Sequence, residues 1–109
     1  MAGLDPANSR ADDGSMRQGF VYIMANKRNG TIYIGVTSKL SIRVHQHKNG
    51  RGSVFTRRYG LKTLVWYEAY PSIVDAIQRE TSLKRWPRKW KLSLIEKMNP
   101  GWEDLYSSL

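Results

Sequence analysis

Five polar side chains in this sequence are of types and spacings that could act together on a phosphate: Tyr22, Tyr33, Arg43, His47 and Glu80. Tyr22 lies in FVYIM. Tyr33 lies in GTIYIGVT, where Ile32, Ile34 and Val36 read as one buried strand face and Gly35 follows Tyr33 on the other. A glycine inside a strand weakens it and marks a bulge or a close approach by another group. Arg43 and His47, four residues apart, share a face of one helix. The arginine offers a planar fork to a phosphate, and a histidine of ordinary pKa, about 6.5, can take or give a proton. His45 points elsewhere. Glu80 falls on the apolar stripe of a later helix, near Ala76, Ile77, Leu83 and Lys84. A carboxylate there needs a partner: a salt bridge to Lys84 or to a distant arginine, or a metal ion. One carboxylate that leaves other positions to water and phosphate oxygens suits Mg²⁺ best. Each feature has a plain alternative, the tyrosines as core packing and Arg43–His47 as polar surface.

Other chemistries are thinly represented. The chain has no cysteine, which excludes a disulfide framework, a thiolate zinc site and a cysteine nucleophile. There is no Ser-His-Asp arrangement, no glycine-rich phosphate loop and no carboxylate pair, because Asp75 and Glu80 point in different directions. What remains is equipment for phosphodiester hydrolysis with one metal.

The charge agrees. Eighteen Lys and Arg against nine Asp and Glu give the 109 residues a net charge of +9. Residues 1–15 hold Asp5, Asp12, Asp13 and Arg10 and lack apolar periodicity, and we read them as an expression leader, with a native disordered arm as the alternative. The single domain expected over residues 16–109 then carries +11. Such a domain repels itself, and a polyanion is the usual partner. Arg43, Lys48, Arg51, Arg57, Arg58 and Lys62 follow one another with no acid between, and Lys84, Arg85, Arg88 and Lys89 form a second group. A phosphate-contacting surface is the reading preferred over two solvated faces. No apolar run is long enough to span a membrane, and no basic helix has a broad apolar face, so a membrane partner is not expected. The absence of cysteine suits a cytoplasmic protein.

The elements that must position these residues follow from pattern. Residues 20–26 read as a strand, Asn29-Gly30 as a two-residue turn, and 31–37 as the returning strand. That turn would pair Tyr33 with Asn26, Gly35 with Met24 and Thr37 with Tyr22. It would leave two phenols on one face, flanking a gap at Gly35 that could clear a phosphate backbone. Ser38 or Ser41 would cap a helix over 40–48, and residues 50–60 read as a loop. A third strand spans 63–70. A helix capped by Ser72 follows, with Ile73, Ala76, Ile77 and Leu83 on its buried face. Pro87 separates it from a last helix over 88–98, and Trp102–Tyr106 packs back on the core. The order β-β-α-β-α-α makes an α+β domain with a small, mainly antiparallel three-stranded sheet.

Tyr22 in FVYIM, the YIG of residues 33–35, Arg43 and a helical Glu80 resemble the GIY-YIG endonuclease family, which includes the nuclease domain of the bacterial excision-repair protein UvrC. FTRRYGLKTLVWYE, DAIQRETSLKRW and LIEKMNPGWEDLY resemble stretches of its small single-domain bacterial members. The resemblance implies a DNA endonuclease of low sequence specificity or structure selectivity, in repair or recombination, with RNA as an alternative substrate. Tyr33 would act on the attacking water, and Tyr22 would line the same site. Arg43 would hold the scissile phosphate, and His47 would hydrogen-bond a tyrosine or the phosphate. Glu80 would ligate one Mg²⁺ or Mn²⁺, Asn99 would support the site, and Lys84 would contact DNA near the metal. No small-molecule cofactor is implied. Phe20 stands where the first motif usually begins with glycine, yet its tyrosine is kept. The rival expectations are a non-catalytic nucleic-acid-binding module and a nuclease subunit that needs a protein partner.

Overall fold

β-branched and aromatic residues in sequence build the first strand, β1 (Gly19–Ala25), which pairs antiparallel with β2 (Ile32–Thr37). The structure, a computed structural model, describes residues 18–109, so the expected leader lies outside the described residues. The remaining elements are α1 (Leu40–Lys48), α2 (Val54–Tyr59), β3 (Thr63–Tyr70), α3 (Ile73–Arg85), α4 (Arg88–Met98) and a 3₁₀ turn, Leu105–Ser108.

The sheet has the order β2-β1-β3, with both pairings antiparallel. Central β1 is covered on both faces, which is why residues 21–25 form an unbroken apolar and aromatic run. On one face Val21, Ile23, Ala25 and Ile34 pack with Ala76 and Leu83 of α3, Ile95 of α4 and Trp102. On the other, Tyr22, Met24 and Leu64 pack with Leu40 and Val44 of α1, while Tyr33, Leu105 and Tyr106 close over them. A bulge in the β1–β3 pairing, between Ile23 and Met24, accompanies Val65 and Trp66 entering the same cluster.

Four expectations need correction. The hairpin turn is longer than the two residues of Asn29-Gly30. Gly30 N–H donates to Lys27 O at 2.9 Å, Asn29 takes a left-handed φ of 56°, and the Asn26 side chain accepts from Thr31 N–H. The partners become Met24 with Tyr33, Tyr22 with Gly35 and Phe20 with Thr37. This slip of two residues preserves every face, because side chains alternate with period two.

Residues 50–60 are no simple loop, since they contain α2, and the order is β-β-α-α-β-α-α. Neither Ser38 nor Ser41 caps α1. Its N-cap is Lys39, which has no side-chain cap, although Thr37 Oγ1 accepts from Lys39 N–H at 3.0 Å. On α3, capped by Ser72 as expected, Ala76 and Leu83 are buried but Ile77 faces solvent.

Candidate active site

Tyr22 is the centre of the constellation. The antiparallel pairing sets it opposite Gly35, and a Cβ on that glycine would lie 2.5 Å from the Tyr22 Cζ and hydroxyl oxygen. Gly35 therefore makes room for the Tyr22 ring. The expected clearance for a phosphate backbone is filled by protein.

From there the phenol reaches α1. Its hydroxyl lies 2.8 Å from His47 Nε2, and His47 Nδ1 lies 2.9 Å from Thr56 Oγ1 of α2. All three side chains are buried. Thr56 in turn is held by Ser53, whose side chain accepts from Thr56 N–H and so caps α2. The chain of contacts Tyr22–His47–Thr56–Ser53 ties β1, α1 and α2 together.

Burial sets the protonation states along this chain. It pushes the Tyr22 phenol well above its ordinary value of 10.0, the nearby Tyr33 and Glu80 add to the rise, and Arg43 opposes it. The proton stays on Tyr22. His47 moves the other way, pulled from 6.5 down to about 4 by burial first and then by the Arg43 charge. A neutral imidazole has one donor and one acceptor nitrogen. The consistent assignment has the Tyr22 O–H donating to Nε2 and Nδ1–H donating to Thr56.

Tyr33, Arg43 and Glu80 all lie within electrostatic reach of Tyr22. Tyr33 is half-buried and its ring centroid sits 6.4 Å from that of Tyr22, so it is the phenol nearer solvent. Arg43 Nη1 donates to Gln46 Oε1 at 3.0 Å, which fixes its guanidinium over α1. Glu80 is paired with Lys84 at 3.0 Å and its side chain is 16% exposed, against 53% for Lys84.

Among the described residues no group of three or more His, Cys, Asp or Glu could form a protein cage for a metal. A single, partly exposed carboxylate still fits a hard cation such as Mg²⁺, which keeps several waters and takes phosphate oxygens as its other ligands. Lys84 would have to swing aside, and its exposed side chain allows that.

Asn99 stands apart from this group. Its Nδ2 donates to Val65 O at 3.1 Å and to Glu103 O at 2.8 Å, and its Oδ1 accepts from Glu103 N–H at 3.0 Å. It clamps the C-terminal turn to β3, and its polar atoms are engaged there. Of the expected nucleic-acid contacts, Arg51, Arg57, Arg58, Lys62, Lys84, Arg85, Arg88 and Lys89 are all exposed. Arg88 already donates to the carbonyls of Asn29 (3.0 Å) and Gly30 (2.6 Å), which makes it a brace for the hairpin.

Thr56 and Ser53 had no place among the sequence candidates. Their only signal was a serine three residues ahead of a threonine, in a stretch closed by Gly60. Gly52 was equally silent, yet a Cβ there would overlap His47 Nδ1.

A family model described as the GIY-YIG catalytic domain matches residues 18–93. The chain is 33% identical over 81 residues to a UPF0213 protein of Staphylococcus epidermidis, covering 74% of this chain and 98% of that protein. A UPF0213 protein of Oceanobacillus iheyensis is 34% identical over 79 residues, with 72% and 91% covered. The solution NMR structure of a UPF0213 protein from Bacillus halodurans is similar with a TM-score of 0.51 and 30% identity, over 80% of this chain and 92% of that one.

Proposed function

This chain belongs to the GIY-YIG catalytic domain family, and from that premise we propose that it is a DNA endonuclease that works with one divalent cation. The observation that carries the reading is a buried Tyr22 hydrogen-bonded to His47 and 6.4 Å ring to ring from Tyr33, with Arg43 and Glu80 within electrostatic reach. Arg43 binds the scissile phosphate and offsets the negative charge that grows on it in the transition state. Tyr33, on the solvent side, orients the attacking water or accepts its proton. Tyr22 lines the site as a neutral hydroxyl, held by His47. Glu80 holds the cation, and Mg²⁺ or Mn²⁺ bound there would stabilise the leaving 3′ oxygen. The exposed Arg and Lys residues bind the backbone, which positions DNA without reading its sequence.

The test incubates purified protein with plain and branched DNA and Mg²⁺ or Mn²⁺. Arg43→Ala and Glu80→Ala should each lower cleavage by a factor on the order of 10² or more while binding survives. Equal cleavage by wild type and Glu80→Ala would overturn the reading. The Glu80–Lys84 ion pair favours one alternative, a nucleic-acid-binding module in which Glu80 is purely structural. Binding with no cleavage under any metal would select it. Among the described residues no helix is long and apolar enough to cross a membrane.

A further inference from the structure

Helix α2 turns two kinds of face outward and inward. Thr56 is buried beneath His47, whereas Phe55 and Tyr59, one helical turn apart, are 41% and 47% exposed. Phe55 stacks on Tyr33 with ring centroids 6.1 Å apart and planes 28° from parallel, and Tyr59 follows at 4.9 Å. An aromatic row thus runs from the solvent-side tyrosine of the candidate site to open surface.

That row lies among cations. Arg57 and Arg58 are exposed on the same helix, and the Arg58 guanidinium sits 5.8 Å from the centre of the Tyr59 ring. Ile32, Tyr33, Ile34, Phe55, Lys84 and Lys91 line a cleft of about 350 Å³ beside it. Exposed rings in an apolar setting would suit another protein, but partly exposed rings interleaved with basic side chains suit a single nucleic-acid strand. The cations follow its phosphates and the rings stack its bases. In a duplex the base faces are already stacked on one another, and only an unpaired base has a face to offer.

We infer that Phe55 and Tyr59 form a stacking platform for an unpaired base of the strand held at the site, so that DNA with single-stranded nucleotides at the point of cleavage is the preferred substrate. The inference rests on the endonuclease reading for the word substrate alone. The platform itself is a matter of binding.

The experiment therefore measures binding of the whole chain in EDTA, by fluorescence anisotropy with oligo-dT, a blunt duplex of equal length and oligo-U. Oligo-dT should bind about tenfold tighter than duplex, and Phe55→Ala and Tyr59→Ala should each weaken oligo-dT binding about tenfold with duplex binding nearly unchanged. Phe55→Trp should retain the preference. A 2-aminopurine base in the single strand should be quenched by wild type and not by Phe55→Ala. Because both side chains are exposed, unchanged circular dichroism melts are expected of the variants. Equal affinity for oligo-dT and duplex, or alanine variants that bind like wild type, would overturn the platform. So would variants that change only the sedimentation of the protein, which would mark a protein contact, whereas a preference for oligo-U would overturn DNA as the strand held there. A single-strand preference in a protein that never cleaves would defeat the endonuclease reading and leave the platform standing.

Discussion

Tyr22 holds its place because of what its neighbours lack. Gly35 has no Cβ where the phenol lies, and Gly52 has none where the His47 ring lies. Tyr22 is 1% exposed, so an added methyl leaves its ring nowhere to retreat. Gly35→Ala should cost about 1–3 kcal/mol in urea unfolding through overpacking. It should also lower single-turnover cleavage by a factor on the order of 10², since small displacements in a site are expensive. A variant with normal stability and activity would show that Gly35 answers to something other than Tyr22. His47 supplies a pH dependence of known sign. Its folded pKa of about 4 lies below the ordinary 6.5, so the unfolded chain binds the extra proton between those values. The stability it contributes is present above about 6.5 and is lost as pH falls toward 4. The loss between pH 7 and pH 5 should be about 2 kcal/mol, measured as the shift in urea unfolding free energy, and His47→Gln should flatten it. Asp104, whose burial would raise its carboxyl but which Lys48 and backbone donors from Leu64 and Tyr106 together hold below its usual range, titrates at lower pH and leaves that window clear.

At the level of elements, α2 connects the buried chain of hydrogen bonds to the outer surface. Its six residues, VFTRRY, are too few and too weakly helix-forming to persist alone, and the helix depends on the Ser53 cap, the left-handed Gly60 (φ 64°) and Thr56 beneath His47. Ser53→Ala should therefore cost about 1 kcal/mol, and Thr56→Val about 1–3 kcal/mol because His47 Nδ1 loses its buried partner. Both are read by urea unfolding at neutral pH, and a neutral Thr56→Val would separate His47 from α2. The same dependence explains why α2 was illegible in the sequence. Glycine at 50, 52 and 60 and the arginines between them have loop composition, and only tertiary contact turns them into a helix. The strands and the longer helices were legible, because β1 and β3 carry dense β-branched and aromatic runs and Ser72 and Pro87 punctuate α3 and α4. The Asn29-Gly30 signal located the hairpin but missed its length, and the error spared the site because the register slipped by an even number. The partners of Asn99 were illegible for a related reason. A late polar residue in sequence reveals nothing of which backbone groups it will meet.

Over the whole molecule the question is how a net charge of +9 is distributed. Some of it is spent internally. Lys48 pairs with Asp104, Arg79 with Glu68 at 3.0 Å, and Arg88 braces the hairpin turn. Among the described residues, the exposed remainder, with Arg51, Arg57, Arg58 and Lys62 around α2 and Lys84, Arg85 and Lys89 along α3 and α4, has no such duty apart from the Lys84–Glu80 pair. Sequence reasoning grouped Arg88 with these residues, since composition cannot separate a brace from a phosphate contact. Salt dependence can. Each cation that neutralises a phosphate of a single strand contributes about 0.7 to the slope of log affinity against log salt concentration. Arg57→Gln with Arg58→Gln should therefore reduce that slope for oligo-dT by about 1.4, measured by anisotropy across a salt series. Arg88→Gln should leave the slope as it is and instead lower the unfolding midpoint in urea, because it removes two hydrogen bonds that hold the turn between β1 and β2 in register. The opposite pattern, with the slope falling on loss of Arg88 and unchanged on loss of Arg57 and Arg58, would place the DNA on the hairpin side of the molecule and away from α2.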